Sequence, residues 1–136
     1  MHIDPTRPQF EAFKALPRDT PVNMLNLVRL RENATYDDER KATGAEAYAA
    51  YGAESGPIFQ RVGGTIIWRG TPEAVLIGPE AEGWHLAFIA RYPTGGAFLE
   101  MVTDPAYQIA VKHRQAAVED SRLIRMGELP QTDVFA

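Results

Sequence analysis

Between Pro21 and Arg31 lies a segment, Val22 to Leu30 (VNMLNLVRL), that is mostly apolar on both of its sides. Side chains alternate across a strand, so Val22, Met24, Asn26, Val28 and Leu30 share one side and Asn23, Leu25, Leu27 and Arg29 the other. A strand of this kind has to be covered on both faces. The chain is therefore expected to bury it in a sheet with helices over one face and another cover over the second. Asn23 and Asn26 must find hydrogen-bond partners there.

The remaining residues supply the other elements. Phe10, Phe13 and Leu16 follow the possible caps Asp4 and Thr6, and Pro17 ends that pattern, which predicts a short N-terminal helix. RENATYDDERKATG has no hydrophobic period and reads as a long polar loop. Thr43 with Glu46 forms a capping box, so a helix is expected to start near Gly44, with Tyr48, Tyr51, Ser55, Ile58 and Val62 on one face. Gly52, Gly56 and Pro57 are expected to kink it or split it in two. Further strands are expected at Thr65 to Arg69, Glu73 to Gly78 and Trp84 to Tyr92, the last two forming a hairpin or meander around Gly78–Gly83. Thr94 can cap a first helical segment after Pro93, with Gly95-Gly96 expected only as a turn. Asp104-Pro105 restarts a helix running to about Val118, and SRLIRMG returns as a final strand. This order predicts an α+β domain with helices on one face of a mainly antiparallel sheet. A second copy of the chain is the simplest cover for the other face.

The helix after Pro105 holds the most suggestive chemistry. Gln108, Lys112, Gln115 and Glu119 fall in one narrow stripe, which must face solvent. The rest of the circumference is apolar except for His113 and Arg114, which are expected to point inward or along the flank. A guanidinium keeps its charge, so Arg114 must meet a carboxylate, backbone carbonyls, an aromatic face or an anionic ligand. Glu54, Glu100 and Asp104 are the candidate internal partners. His113 is either a pocket acid or base or a core histidine bonded to a carbonyl. These two are the candidate catalytic residues. Asn26, Tyr48, Tyr51, Tyr92 and Tyr107 are the candidates for lining a ligand pocket.

Several function classes are set aside by what is missing. The 136 residues contain no cysteine, which removes disulfides, thiolate catalysis and cysteine-ligated metal. His2, His85 and His113 show no metal-ligand spacing, and Asp37-Asp38-Glu39 lacks the glycine pattern of a calcium loop, so no metal is expected. No nucleotide-binding or nucleophile-elbow motif occurs, and no cofactor is expected. A net charge of -4 with scattered basic residues argues against nucleic acid. No run approaches the roughly 18 apolar residues of a membrane span, and no secretory leader pattern opens the chain, so a soluble cytoplasmic protein is expected.

The segments MLNLVRLREN, TGAEAYAAYG, VGGTIIWRG, RYP, AFLEMVTDPAYQ and KHRQAAVEDSRLI together resemble the uncharacterised family catalogued as domain of unknown function 1330. The likeness covers roughly residues 22 to 127, and its most specific part is the run from Asp104-Pro105 through His113-Arg114 to Asp120-Ser121-Arg122-Leu123. The resemblance implies a ferredoxin-like fold that pairs into a dimeric α/β barrel, in the broad superfamily of the small antibiotic-biosynthesis monooxygenases. It implies no catalytic role for any residue. Family members are expected to carry a basic residue after the Tyr-Pro step, where this chain has Gly95-Gly96. The expected organisation is one domain over 1–136, with an N-terminal helical extension at 1–20, a ferredoxin-like core at 22–127 and a C-terminal tail at 128–136.

Two functions are then open. The first is a cofactor-independent enzyme acting on a small organic compound in a cleft between sheet and helices, with Arg114 holding an oxygen and His113 or a tyrosine moving a proton. The second is a homodimer that binds a small ligand without catalysis or serves as a structural module.

Overall fold

Four helices in the computed structural model, which describes residues 1–136, begin at the residues that can satisfy free backbone N–H groups. Thr6 caps α1 (Arg7–Ala15) and Thr43 caps α2 (Gly44–Arg61), each in a reciprocal capping box with the residue three positions on. Thr94 caps α3 (Gly95–Thr103), and Asp104 caps α4 (Pro105–Ala117) through the Ala106 N–H. The strands are β1 (Val22–Leu30), β2 (Thr65–Gly70), β3 (Leu86–Tyr92) and β4 (Val118–Met126). They form one sheet in the order β2-β3-β1-β4, antiparallel throughout.

This arrangement bears out the α+β architecture and corrects three expectations. Glu73 to Gly78 is not a strand, so the sheet has four strands rather than five. Its apolar residues have nothing to pack on: Leu76 and Ile77 are 95% and 93% exposed, and Pro72, Gly78 and Pro79 interrupt any ladder. α2 is not split; Gly52, Gly56 and Pro57 lie within one continuous helix. Gly95-Gly96 is the first turn of α3 rather than a separate turn, and its N–H groups donate to the carbonyls of Thr20 and Arg18.

Burial follows the alternation in β1: Val22, Met24 and Val28 are buried on the side that meets the helices. The main core lies at the Val22 end, where Val22, Met24, Ala90 and Tyr92 from the sheet pack with Ile58 of α2, the C-capping Val62, Phe98 and Met101 of α3 and Tyr107 of α4. At the other end Ala47, Ala110, Ala116 and Ala117 are buried, and side chains this small let α2 and α4 approach each other and the sheet. α1 docks through Phe13, whose ring lies 4.9 Å from that of Phe98. The opposite sheet face carries Leu25, Leu27, Ile89, Trp68 and Ile124 in register, and no element of the chain covers it. No helix is long and apolar enough to cross a membrane.

Candidate functional site

α4 presents different residues to four different neighbours. Gln108, Lys112 and Gln115 are exposed as the stripe requires, and Ile109 joins them in solvent although its apolar character suggested a covered position. Toward the sheet and α2 the helix turns Tyr107, whose hydroxyl lies 2.8 Å from that of Tyr51. Tyr48 stands one turn before Tyr51 with ring centroids 5.5 Å apart. Burial, followed by the neighbouring Tyr51, raises the pKa of both Tyr48 and Tyr107 well above the ordinary phenol value, with the positive charge of Arg114 opposing the rise in each. Tyr92 sits in the same core, with Phe59 and Phe98 against its ring and its hydroxyl donating to Met101 Sδ at 3.8 Å.

Opposite the tyrosines, the register sets one row across the sheet: Arg69 of β2, Phe88 of β3, Asn26 of β1 and Leu123 of β4. In the next row toward Val22, Met24 and Ala90 are buried in the core. Asn26 and Phe88 are half-buried and Leu123 is 42% exposed despite facing the helices. Asn26 satisfies its amide locally by donating to the Met24 carbonyl at 3.0 Å. This row and the tyrosines bound the candidate cleft between sheet and helices, and the positive charges of Arg69 and Arg114 are near enough to act on Tyr48.

Arg114 meets none of its three expected carboxylates. Its Nη1 donates to the Ile3 carbonyl at 2.5 Å and its Nη2 to Ser121 Oγ at 3.1 Å, and no carboxylate lies within 4.0 Å of it. Asp104 pairs instead with Arg61 at 2.5 Å, Glu54 with His113 at 2.5 Å, and Glu100 is exposed on α3. Ile3 belongs to an N-terminal strap that β4 also holds: the His2 N–H donates to Asp120 Oδ1 at 2.8 Å and Ser121 Oγ to the His2 carbonyl at 2.8 Å. The His2 N–H, with the Arg122 guanidinium, holds the Asp120 carboxyl down to about 2.

His113 faces other partners than its neighbour. Its Nε2 meets Glu54 and its Nδ1 lies 2.6 Å from the hydroxyl of Tyr36. Tyr36 was not singled out from the sequence, and Glu54 only as a partner for Arg114. They lie 77 and 59 residues from His113, and no local pattern marks a partnership of that range. A surface depression of about 410 Å³, open to solvent, lies elsewhere and includes none of the tyrosines; Asn33, Arg40, Lys41, Thr43 and Glu46 are among its walls. No three histidine, aspartate or glutamate side chains come together as a metal site.

Comparison with known proteins is consistent with this architecture. Residues 39–127 match the family model described as Domain of unknown function (DUF1330), a shorter span than the likeness from residue 22, and one that leaves Asn26 outside it. No functionally curated protein matches the chain. A protein of unknown function from Rhodopseudomonas palustris is 58% identical over 96% of this chain and 98% of that one, with a TM-score of 0.92. A dabb family protein with a ferredoxin-like fold from Mesorhizobium loti is 14% identical over 81% of this chain and 98% of that one, TM-score 0.51. SnoaB, a cofactor-independent oxygenase from Streptomyces nogalater, is 14% identical over 85% of this chain and 99% of that one, TM-score 0.54. The two distant likenesses are of fold alone, and that fold is ferredoxin-like.

Proposed function

This chain belongs to the family described as Domain of unknown function (DUF1330), and from that premise we propose that it is a cofactor-independent enzyme acting on a small organic oxyanion. The observation that carries this reading is Arg114, a half-buried guanidinium with two neutral acceptors and no carboxylate within 4.0 Å. Such a charge is costly to leave uncompensated away from water, and an oxyanion is its natural complement. The tyrosines add neutral donors. In the Tyr51–Tyr107 pair one hydroxyl donates to the other, which leaves one O–H free. Burial keeps Tyr48 and Tyr107 protonated across the physiological range. A guanidinium and protonated phenols beside one cleft suit an enolate or phenolate, the species through which isomerisation or oxygenation of an ionisable compound proceeds. SnoaB, whose fold is similar, is a cofactor-independent oxygenase, although fold alone transfers no activity.

The test is a thermal-shift and calorimetric screen of small carboxylates, enols and phenols, followed by turnover assays in air and under nitrogen. Arg114→Gln is expected to abolish the ligand-induced shift relative to its own unliganded baseline. Turnover that needs dioxygen would identify an oxygenase, and turnover that does not would identify an isomerase. If no compound shifts the wild type, or Arg114→Gln responds equally, the reading fails. A second reading, a non-catalytic module in which Arg114 only ties the strap to the body, is supported by its bonds to Ile3 and Ser121.

The protein is further proposed to act as a homodimer. The uncovered sheet face, with Leu25, Leu27, Ile89, Trp68 and Ile124, is the surface a second copy would bury.

A further inference from the structure

The loop between β1 and α2 carries a hydroxyl that the cleft does not use. Tyr36 Oη lies 2.6 Å from His113 Nδ1, and Nε2 of the same ring lies 2.5 Å from Glu54 Oε2. An ionised carboxylate can only accept, so in the neutral imidazole Nε2 carries the hydrogen and Nδ1 faces Tyr36 as an acceptor. Hydroxyl, imidazole and carboxylate thus stand in the order of a nucleophile, its base and the group that orients the base. Three separate segments bring them together. The loop is seated on α4 by the Thr35 N–H, which donates to the Ala116 carbonyl at 2.9 Å, and the Tyr36 and His113 rings meet edge to face at 5.6 Å.

Positive charge lies alongside. The Arg40 guanidinium sits 4.4 Å from the Tyr36 ring centroid, and Arg40 and Lys41 both line the 410 Å³ depression. Two carboxylates are also near: Asp38 pairs with Arg40 at 3.1 Å, and Glu46 accepts from the Thr43 N–H in the capping box.

We propose that Tyr36 is a nucleophile that accepts an acyl group from a small anionic ester, with His113 as its base and Glu54 as a positioning residue. Tyr36 Oη bonds to the ester carbonyl carbon as its proton passes to His113 Nδ1. The tetrahedral adduct then collapses, the ester C–O bond breaks with its electron pair, and the departing alcohol or phenol oxygen takes the proton from His113. Water deprotonated by the same nitrogen attacks the tyrosyl ester, releases the acid and restores the hydroxyl. This site is independent of the Arg114 cleft.

Acetylsalicylate, an anionic aryl acetate, is the probe, with phenyl acetate as its neutral counterpart. Salicylate release gives the rate, and peptide mass spectrometry gives the acetylated position. Acetyl is expected on Tyr36 ahead of the other tyrosines. His113→Gln keeps an acceptor toward Tyr36 and is expected to lower the saturating rate about 100-fold, within the usual range for general-base catalysis. Glu54→Gln, at an exposed position, should lower the rate about 10-fold at an unchanged half-saturating concentration. Arg40→Ala should instead raise that concentration more for acetylsalicylate than for phenyl acetate. Acetylation of Tyr36 at the wild-type rate in Glu54→Gln and His113→Gln, or no faster than that of free N-acetyltyrosinamide, would overturn the proposal and make the three residues a structural tie.

Discussion

The hydroxyls of Tyr51 and Tyr107 lie 2.8 Å apart across the contact between α2 and α4. One phenol is therefore the hydrogen-bond partner of the other. Tyr107→Phe is expected to cost about 1 kcal/mol, because Tyr51 loses its partner. Adding Tyr51→Phe should cost less than the sum of the two single changes. Urea unfolding of the four proteins in a double-mutant cycle measures the difference.

Burial also gives these tyrosines a pH signature. The pKa values of Tyr92 and Tyr107 are raised in the folded protein by desolvation first and by Tyr51 second. The stability they confer is fully present below the unfolded phenol value of about 10 and is lost as pH rises above it. Each contributes a slope of about 1.4 kcal/mol per pH unit. Phenolate absorbance at these two positions should appear only together with unfolding, and each Tyr→Phe variant should flatten the alkaline limb.

Asp120 acts at the other end of the scale. Its carboxyl is held down to about 2 by the His2 N–H first, then by Arg122. The stability it confers is present above the unfolded carboxyl value, near pH 4, and disappears as pH falls toward 2. Asp120→Asn should remove that acid limb and speed hydrogen exchange in residues 1–4, measured by mass spectrometry.

Gly44 opens α2 directly against the backbone, and a Cβ built there would stand 1.9 Å from the Arg31 carbonyl oxygen. Relief requires movement of the chain rather than of a side chain. Gly44→Ala is expected to destabilise by at least about 2 kcal/mol, read from thermal unfolding, although alanine is the better helix former.

The uncovered sheet face yields a prediction about assembly. Ile124 is 46% exposed there and pairs in register with Leu25. Light scattering should show wild-type dimers at micromolar concentration and monomers for Ile124→Asp. A wild-type monomer would leave that face without its proposed cover.

What the sequence made legible was local. β1 was bounded by its apolar alternation, and α2 and α4 by Thr43 with Glu46 and by Asp104 with Pro105, since each cap acts within a few residues. Glu73 to Gly78 misled because apolar composition does not reveal whether a surface exists to receive it; Leu76 and Ile77 project into solvent. The placement of Arg114 off the solvent stripe was legible, but its partners were not. They are a backbone carbonyl 111 residues away and a serine on β4, neither of which a search for carboxylates could find. The same distance in sequence hid Tyr36 and Glu54 from His113.

The central claim is that the uncompensated charge of Arg114 exists to hold an oxyanion. Isothermal titration of the best small carboxylate, enol or phenol from the screen into wild type and Arg114→Gln tests it most directly. The account predicts saturable binding by the wild type and a loss of at least about 10-fold in affinity for the variant, the size of one charge-assisted contact. Equal affinity in the two proteins would contradict it and leave Arg114 as the tie that fastens Ile3 to the body of the fold.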